Sequence, residues 1–145
     1  MEMENAIEKP TQAMIRPRAP LRMILIPDIL VAIQFILGMY INLYVEFPQT
    51  GPVDNWKYAV HTISVIAHII VGTLILVLTV LSFVNSVRMK NSHQIKFSAV
   101  ALTGVLLAAI GGVTFITTQI EMASYIMAIG FMTGLLAVNL GFITQ

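Results

Sequence analysis

The sequence predicts an all-α integral membrane fold, in which four transmembrane helices form an up-down-up-down bundle with both termini in the cytoplasm. Three observations support this prediction: few charged residues, four apolar stretches of membrane-spanning length, and basic residues concentrated on one side. Hydrophobic residues make up 57% of the 145 residues and charged residues 10%, whereas a soluble domain carries about 25% charged residues. We therefore expect a lipid bilayer to surround most of the chain.

Net charge and cysteine content exclude several classes of function. The formal net charge is +1, so no strongly basic surface predicts a nucleic acid partner. The chain has no cysteine, which excludes disulfides, thiolate metal sites and cysteine nucleophiles. It also lacks the P-loop, dinucleotide-binding, zinc-protease and serine-hydrolase motifs. We assign no catalytic residue and no metal site.

The four apolar stretches lie at about 24–45, 57–84, 97–119 and 122–143. Each one reaches the roughly 20 residues that a helix needs to cross about 30 Å of hydrocarbon. Together they make 24–145 a single transmembrane domain. Residues 1–23 are polar and include three prolines, which predicts a disordered or interfacial cytoplasmic tail.

Basic residues set the predicted orientation, because cytoplasmic loops hold an excess of Lys and Arg. Only Lys57, at the start of the second span, falls on the other side of the membrane. The others lie in the tail or between the second and third spans: Lys9, Arg16, Arg18, Arg22, Arg88, Lys90 and Lys96. Both termini are therefore predicted to be cytoplasmic, with Glu46, Asp54 and Glu121 on the outer side. Short connections after the second and third spans favour the up-down-up-down bundle.

Small residues recur on the third and fourth spans and predict where these helices pack. Gly104, Ala108 and Gly112 follow one another at four-residue intervals, and Gly130 and Gly134 form a GxxxG motif. Lipid provides little hydrophobic drive between helices, so residues that let backbones approach closely mark the contacts. We predict helix packing at all five positions.

A polar stripe runs along the first span, where Gln34, Gly38, Asn42 and Glu46 follow one another at four-residue intervals. Polar groups in hydrocarbon need partners, so these residues are predicted to face the bundle interior. With Glu121, the side chains of Gln34, Asn42 and Glu46 form a predicted polar interior track. Two interpretations are open: hydrogen bonds between helices, or a polar path from the outer face toward the centre.

Two histidines, His61 and His68, are the main candidates for chemistry. Seven residues are nearly two helical turns, so both rings are predicted to lie on one face of the second span, about 10 Å apart. An ionisable residue within a span suggests a functional site. Three hypotheses follow for His68: axial ligation of a b-type haem, assisted by His61; proton relay; or a neutral ring hydrogen-bonded to Gln34, Asn42 or a backbone carbonyl.

Haem binding requires a second axial ligand or an open coordination position. The first, third and fourth spans contain no histidine, and His93 lies among charged residues of the cytoplasmic connection, where we expect it to be solvated. The second ligand would be a methionine or His68 of another copy. Gly72, one turn after His68, would leave room for a flat macrocycle.

Two resemblances follow from these residues. The chain resembles small four-span membrane proteins of bacteria and archaea that have no assigned function, in the segment Gln34–Val45 with Pro48 after it and in His68–Gly72. This resemblance implies a prokaryotic plasma membrane. The same features and Gly111–Thr114 are more distantly similar to one half of haem A synthase. That family carries histidine on the second and fourth helix of each half, which implies haem ligation, whereas Met122–Phe142 has none here.

The leading functional prediction is a non-catalytic accessory or assembly subunit of a membrane complex. Its expected partners are other membrane subunits or further copies of the chain. One alternative is a membrane haem b or redox protein with His68 as axial ligand. The other alternative is a small transport or proton-conducting unit.

Overall fold

The computed structural model describes residues 21–48 and 50–143. This part of the chain is helical and contains no strand, which confirms the predicted all-α class. Its helices are α1 (Leu21–Tyr44), α2 (Pro52–Ala59), α3 (Ile63–Arg88), α4 (Ser92–Thr118) and α5 (Glu121–Ile143). Residues 1–20 of the predicted cytoplasmic tail lie outside the described residues, and 21–23 form the start of α1.

Helices α1, α3, α4 and α5 are long and apolar enough to cross a membrane. Short connections join α3 to α4 and α4 to α5, and they contain Lys90 and Gln119 with left-handed backbone at φ 51° and 55°. The side chain of Asn91 starts α4, because its Oδ1 accepts a hydrogen bond from the N–H of Gln94 at 3.3 Å. The chain is therefore a multi-pass membrane protein built on four long helices.

The predicted second span, 57–84, is corrected by the structure. The spanning helix α3 begins at Ile63, whereas residues 57–59 belong to the separate short helix α2. Helix α2 carries Asp54 and Lys57, whose charges are costly in hydrocarbon, while α3 has no charged Asp, Glu, Lys or Arg before Arg88. The chain therefore turns after α2 and enters the membrane again only as α3.

Helices α4 and α5 form the closest pair in the bundle. A Cβ atom placed on Gly104 would lie 2.5 Å from the backbone nitrogen of Gly134 and 2.6 Å from the carbonyl oxygen of Gly130. A Cβ atom on Gly130 would lie 2.6 Å from the backbone nitrogen of Ala108. The two backbones touch at these four positions because little or no side chain separates them.

Gly112 lies at the edge of this contact, where an added Cβ would meet only the sulfur of Met127, at 3.4 Å. The close approach is made by Gly111, whose Cβ would lie 2.7 Å from the backbone nitrogen of Met127 and 2.8 Å from the carbonyl oxygen of Ala123. Gly112 thus contacts α5 through the side chain of Met127, whereas Gly111 makes the contact with the α5 backbone. Eight residues after Gly104 a helix has rotated about 80° away, but seven residues after it only about 20°.

The remaining long helix, α1, packs against α3, and α3 packs against α4. Helix α1 approaches α5 less closely, and side chains bridge the two backbones. The rings of Phe35 and Phe131 stack there with their centroids 6.2 Å apart. The four long helices thus form a ring in the order α1, α3, α4, α5.

The described residues between α1 and α3, 45–48 and 50–62, fold over one end of the bundle, and we call them the cap. Its ring of Phe47 is buried and makes edge contacts with Tyr58 at 5.7 Å and with Phe115 of α4 at 6.0 Å between centroids. Helix α2 also packs against α4 and buries Asn55 and Ala59 there. These contacts make the cap part of the packed structure.

Candidate functional site

The side chains of Gln34 on α1 and His68 on α3 meet inside the bundle. Nε2 of the Gln34 amide lies 3.1 Å from Nε2 of the His68 ring. Since an amide nitrogen only donates, the ring nitrogen accepts this hydrogen bond. The structure thus places His68 beside Gln34, in agreement with the prediction that the ring faces the bundle interior.

Two glycines make room for this pair. A Cβ atom on Gly38 of α1 would lie 3.1 Å from Cε1 of the His68 ring. A Cβ atom on Gly72 of α3 would lie 2.9 Å from Nε2 of Gln34. Each helix therefore contributes one polar side chain and, four residues later, one glycine. The His68 ring of α3 lies over the glycine of α1, and the Gln34 amide of α1 lies over the glycine of α3.

The hydrogen bond leaves part of the pair without a partner. Oε1 of Gln34 and Nδ1 of His68 are buried, and neither has a hydrogen-bond partner among the residues that the structure describes. Buried polar atoms without partners are uncommon in folded proteins. These two atoms make the Gln34–His68 pair the most distinctive chemical feature of the bundle.

A second face of α1 contacts α5 through polar side chains. The hydroxyl of Ser124 donates to Oδ1 of Asn42 at 3.3 Å, and Nδ2 of Asn139 lies 3.5 Å from the carboxylate oxygen Oδ1 of Asp28. Asp28, Ser124 and Asn139 were not among the candidate residues. Asp28 could have been identified from the sequence, because it lies within the predicted first span and a carboxylate in a span suggests a functional site.

The predicted polar interior track is therefore not continuous. Gln34 faces α3 and Asn42 faces α5, while Glu46 and Glu121 are exposed, beyond the interior. Each four-residue step along a helix rotates the side chain by about 40°, so a stripe at this interval winds off the face where it began. The observed contacts of Gln34 and Asn42 correspond to the first interpretation of the stripe, which is hydrogen bonding between helices.

His61 does not share a helix with His68, which corrects the prediction that both rings lie on one face of a span. It lies in the turn after α2, where it is exposed, and its Nδ1 donates to the carbonyl oxygen of Lys57 at 2.6 Å. The ring lines an open pocket of about 330 Å³ with Pro48, Asp54, Lys57 and Tyr58. His61 therefore belongs to the cap.

The surroundings of His68 do not fit a haem. Nε2 of His68 is hydrogen-bonded to Gln34, and the Gln34 amide fills the space beside Gly72 that the macrocycle would need. Cε1 and Nδ1 of the ring lie against Gly38. His61 is in the cap, and His93 is an exposed residue at the start of α4 whose ring lies 4.9 Å from that of Phe97. The close packing of α1 on α3 excludes a flat macrocycle from this position.

The arrangement provides hydrogen bonds between helices at three depths, and two of the groups involved, Asp28 and His68, are ionisable. Asp28, Gln34 and Asn42 are six and eight residues apart along α1, so neighbouring depths are separated by about 9 and 12 Å along the helix axis. Comparisons of the chain with protein-family models, with curated proteins and with solved structures each found no match.

Proposed function

We propose that the chain is a non-catalytic accessory or assembly subunit of a membrane complex. The supporting observation is that, among the described side chains of α1, Asp28, Gln34 and Asn42 each contact a polar side chain of another helix of the same chain. Such contacts specify helix order and register, because a polar group in hydrocarbon that loses its partner is costly. Polar residues that fix the arrangement of helices in this way are typical of a structural subunit.

The cap provides a surface for a partner subunit. Asp54, Lys57 and Tyr58 of α2 and His61 of the turn after it are exposed and line the same open pocket. The opposite face of α2 is anchored on α4. A carboxylate, an ammonium, a phenol and an imidazole on an ordered surface suit polar contacts with the loop of a neighbouring membrane subunit.

Photo-crosslinking in native membranes tests this proposal. A photoreactive residue at Tyr58 of the cap is expected to yield a discrete adduct with another membrane polypeptide, which mass spectrometry identifies. The same residue at Val77, an exposed position on α3 within the span, serves as the control and should yield mainly lipid adducts. A chain that migrates alone on native gels and gives only lipid adducts at Tyr58 would contradict the proposal.

A proton-conducting unit is the second candidate, favoured by the ionisable groups Asp28 and His68 within the spans. Intramembrane carboxylates and imidazoles are typical of proton relays. In this interpretation the two side chains exchange protons through water between the layers of polar residues. The candidate does not require a partner subunit, which distinguishes it from the first.

Proteoliposomes with a pH-sensitive dye inside test the second candidate. Under an imposed potential, the wild-type chain should acidify the lumen faster than empty liposomes, and Asp28→Asn or His68→Ala should abolish the difference. Asp54→Asn removes a carboxylate of the cap and is the matched control. Equal rates for wild type and empty liposomes would exclude proton conduction.

A further inference from the structure

The Gln34–His68 pair has spare hydrogen-bonding capacity that can be defined from its chemistry. In the observed contact the amide nitrogen of Gln34 donates to Nε2 of His68, so the neutral ring carries its proton on Nδ1. The ring then has one free donor, Nδ1–H, and the amide has one free acceptor, Oε1. Both atoms are buried and lack a partner in the described part of the chain.

This result does not depend on how the amide is turned. If its oxygen and nitrogen exchange places, Nε2–H of His68 donates to the amide oxygen, which leaves Nδ1 as an acceptor and the amide NH₂ as a donor. Either orientation leaves one donor and one acceptor on the same pair. A single molecule that serves both atoms would therefore accept and donate at once.

We propose that the Gln34–His68 pair holds a bound water molecule in the middle of the membrane domain. Water is the smallest molecule that both accepts and donates, and internal waters are found where buried polar groups lack protein partners. The site is small, because the side chains of the pair already occupy the space over Gly38 and Gly72. The proposal is independent of either proposed function, because it follows from the hydrogen-bonding capacity of the pair alone.

Solid-state NMR of the full chain in lipid bilayers, with ¹⁵N-labelled histidine, tests the proposal. The wild-type ring of His68 is expected to show a neutral form and a cross-peak between a ring N–H or nitrogen and a water proton that exchanges slowly with bulk water. His61 is the internal control: its Nδ1–H donates to the Lys57 carbonyl, so that proton should show contact with protein instead. A dry His68 ring in the wild-type spectrum would overturn the proposal.

The variant Gln34→Met removes the amide while it keeps a side chain of similar length. Loss or marked weakening of the slow water cross-peak at His68 is expected, because one of the two groups that hold the water is gone. An unchanged cross-peak would overturn the assignment of the water to this pair. The wild-type spectrum decides the existence of the water even if the variant does not fold.

Discussion

At the scale of single residues, the Gln34–His68 contact combines a hydrogen bond with close packing against two glycines. A hydrogen bond between membrane helices contributes about 0.6 kcal/mol on average. A methyl group at Gly38 or Gly72 would meet the His68 ring or the end of the Gln34 side chain instead of backbone. Substitution of either glycine is therefore expected to displace the side chain opposite it and to weaken this hydrogen bond.

Coupling between Gln34 and His68 can be measured with a double-mutant cycle. Gln34→Ala and His68→Ala should each destabilise the bundle, and the double variant should lose about 0.6–1.5 kcal/mol less than the sum of the two, because one shared hydrogen bond is removed twice in that sum. Unfolding in mixed detergent micelles measures the free energies. Gln34→Ala combined with the distant Gly112→Ala is the control pair and should be additive. Strict additivity for Gln34 and His68 would show that the contact has no energetic weight.

At the scale of helices, one geometric rule explains where the structure departs from expectation on both α1 and α4. A second four-residue step accumulates a rotation of about 80°, whereas a step of four and then three returns to the same face. On α4 the contact with α5 therefore follows Gly104, Ala108 and Gly111. On α1, Asn42 has turned from the face of Gln34 toward α5. Helical contacts over several turns follow a seven-residue period.

Gly111 and Gly112 form a matched pair for testing this rule. Gly111→Ala should lower the free energy of unfolding by about 1–3 kcal/mol, because its Cβ would collide with the backbone of α5. Gly112→Ala should change stability by no more than about 0.5 kcal/mol, since its Cβ meets only the flexible end of Met127. Thermal or detergent unfolding measures both. Similar effects of the two substitutions would contradict the assignment of the contact to Gly111.

The bridge between α1 and α5 can be tested by disulfide formation, and the absence of native cysteine leaves no background. Cysteines at Asn42 and Ser124 should cross-link readily in membranes, because these side chains are in contact. Cysteines at Leu43 and Ser124 are the control at the same depth. Leu43 is exposed and turned about 100° from Asn42, so its cross-link should form far more slowly. Equal rates would place α1 in a different rotation.

At the scale of the whole molecule, the two ends of the bundle differ in composition. All tyrosines and the single tryptophan lie at or near the cap end: Tyr40, Tyr44, Trp56, Tyr58 and Tyr125. Among the described residues, basic side chains at the opposite end include Arg88, Lys90 and Lys96. Aromatic residues with a polar atom favour the interface, and basic residues favour the cytoplasm. This distribution is consistent with the predicted orientation, in which the cap faces outward.

Cysteine labelling of intact cells tests the orientation. Val53→Cys places a thiol at a position of the cap that is 81% exposed, and it should react with a membrane-impermeant maleimide added outside. Lys90→Cys, in the connection between α3 and α4, should react only after the cells are permeabilised. Labelling of Lys90→Cys from outside would invert the topology.

The membrane class, the number of spanning helices and the closeness of α4 and α5 follow from the sequence by itself. A helix that crosses hydrocarbon must be long and apolar, and closely spaced small residues indicate helix contacts. Both features can therefore be recognised within one continuous segment of the sequence. His68 could also be placed inward from its sequence position, because an imidazole in hydrocarbon requires a partner. These are local properties that solvent and helix geometry determine.

Only the tertiary structure decided which residues meet. The separation of His61 from His68 depends on a turn after α2, and the pairing of Asp28 with Asn139 joins residues from the first and last helices. The choice of Gly111 over Gly112 depends on how α5 crosses α4. The physical reason is that contacts between helices depend on the rotation, tilt and register of both helices. These quantities are determined by the two packed surfaces together, and the sequence of one helix does not determine them.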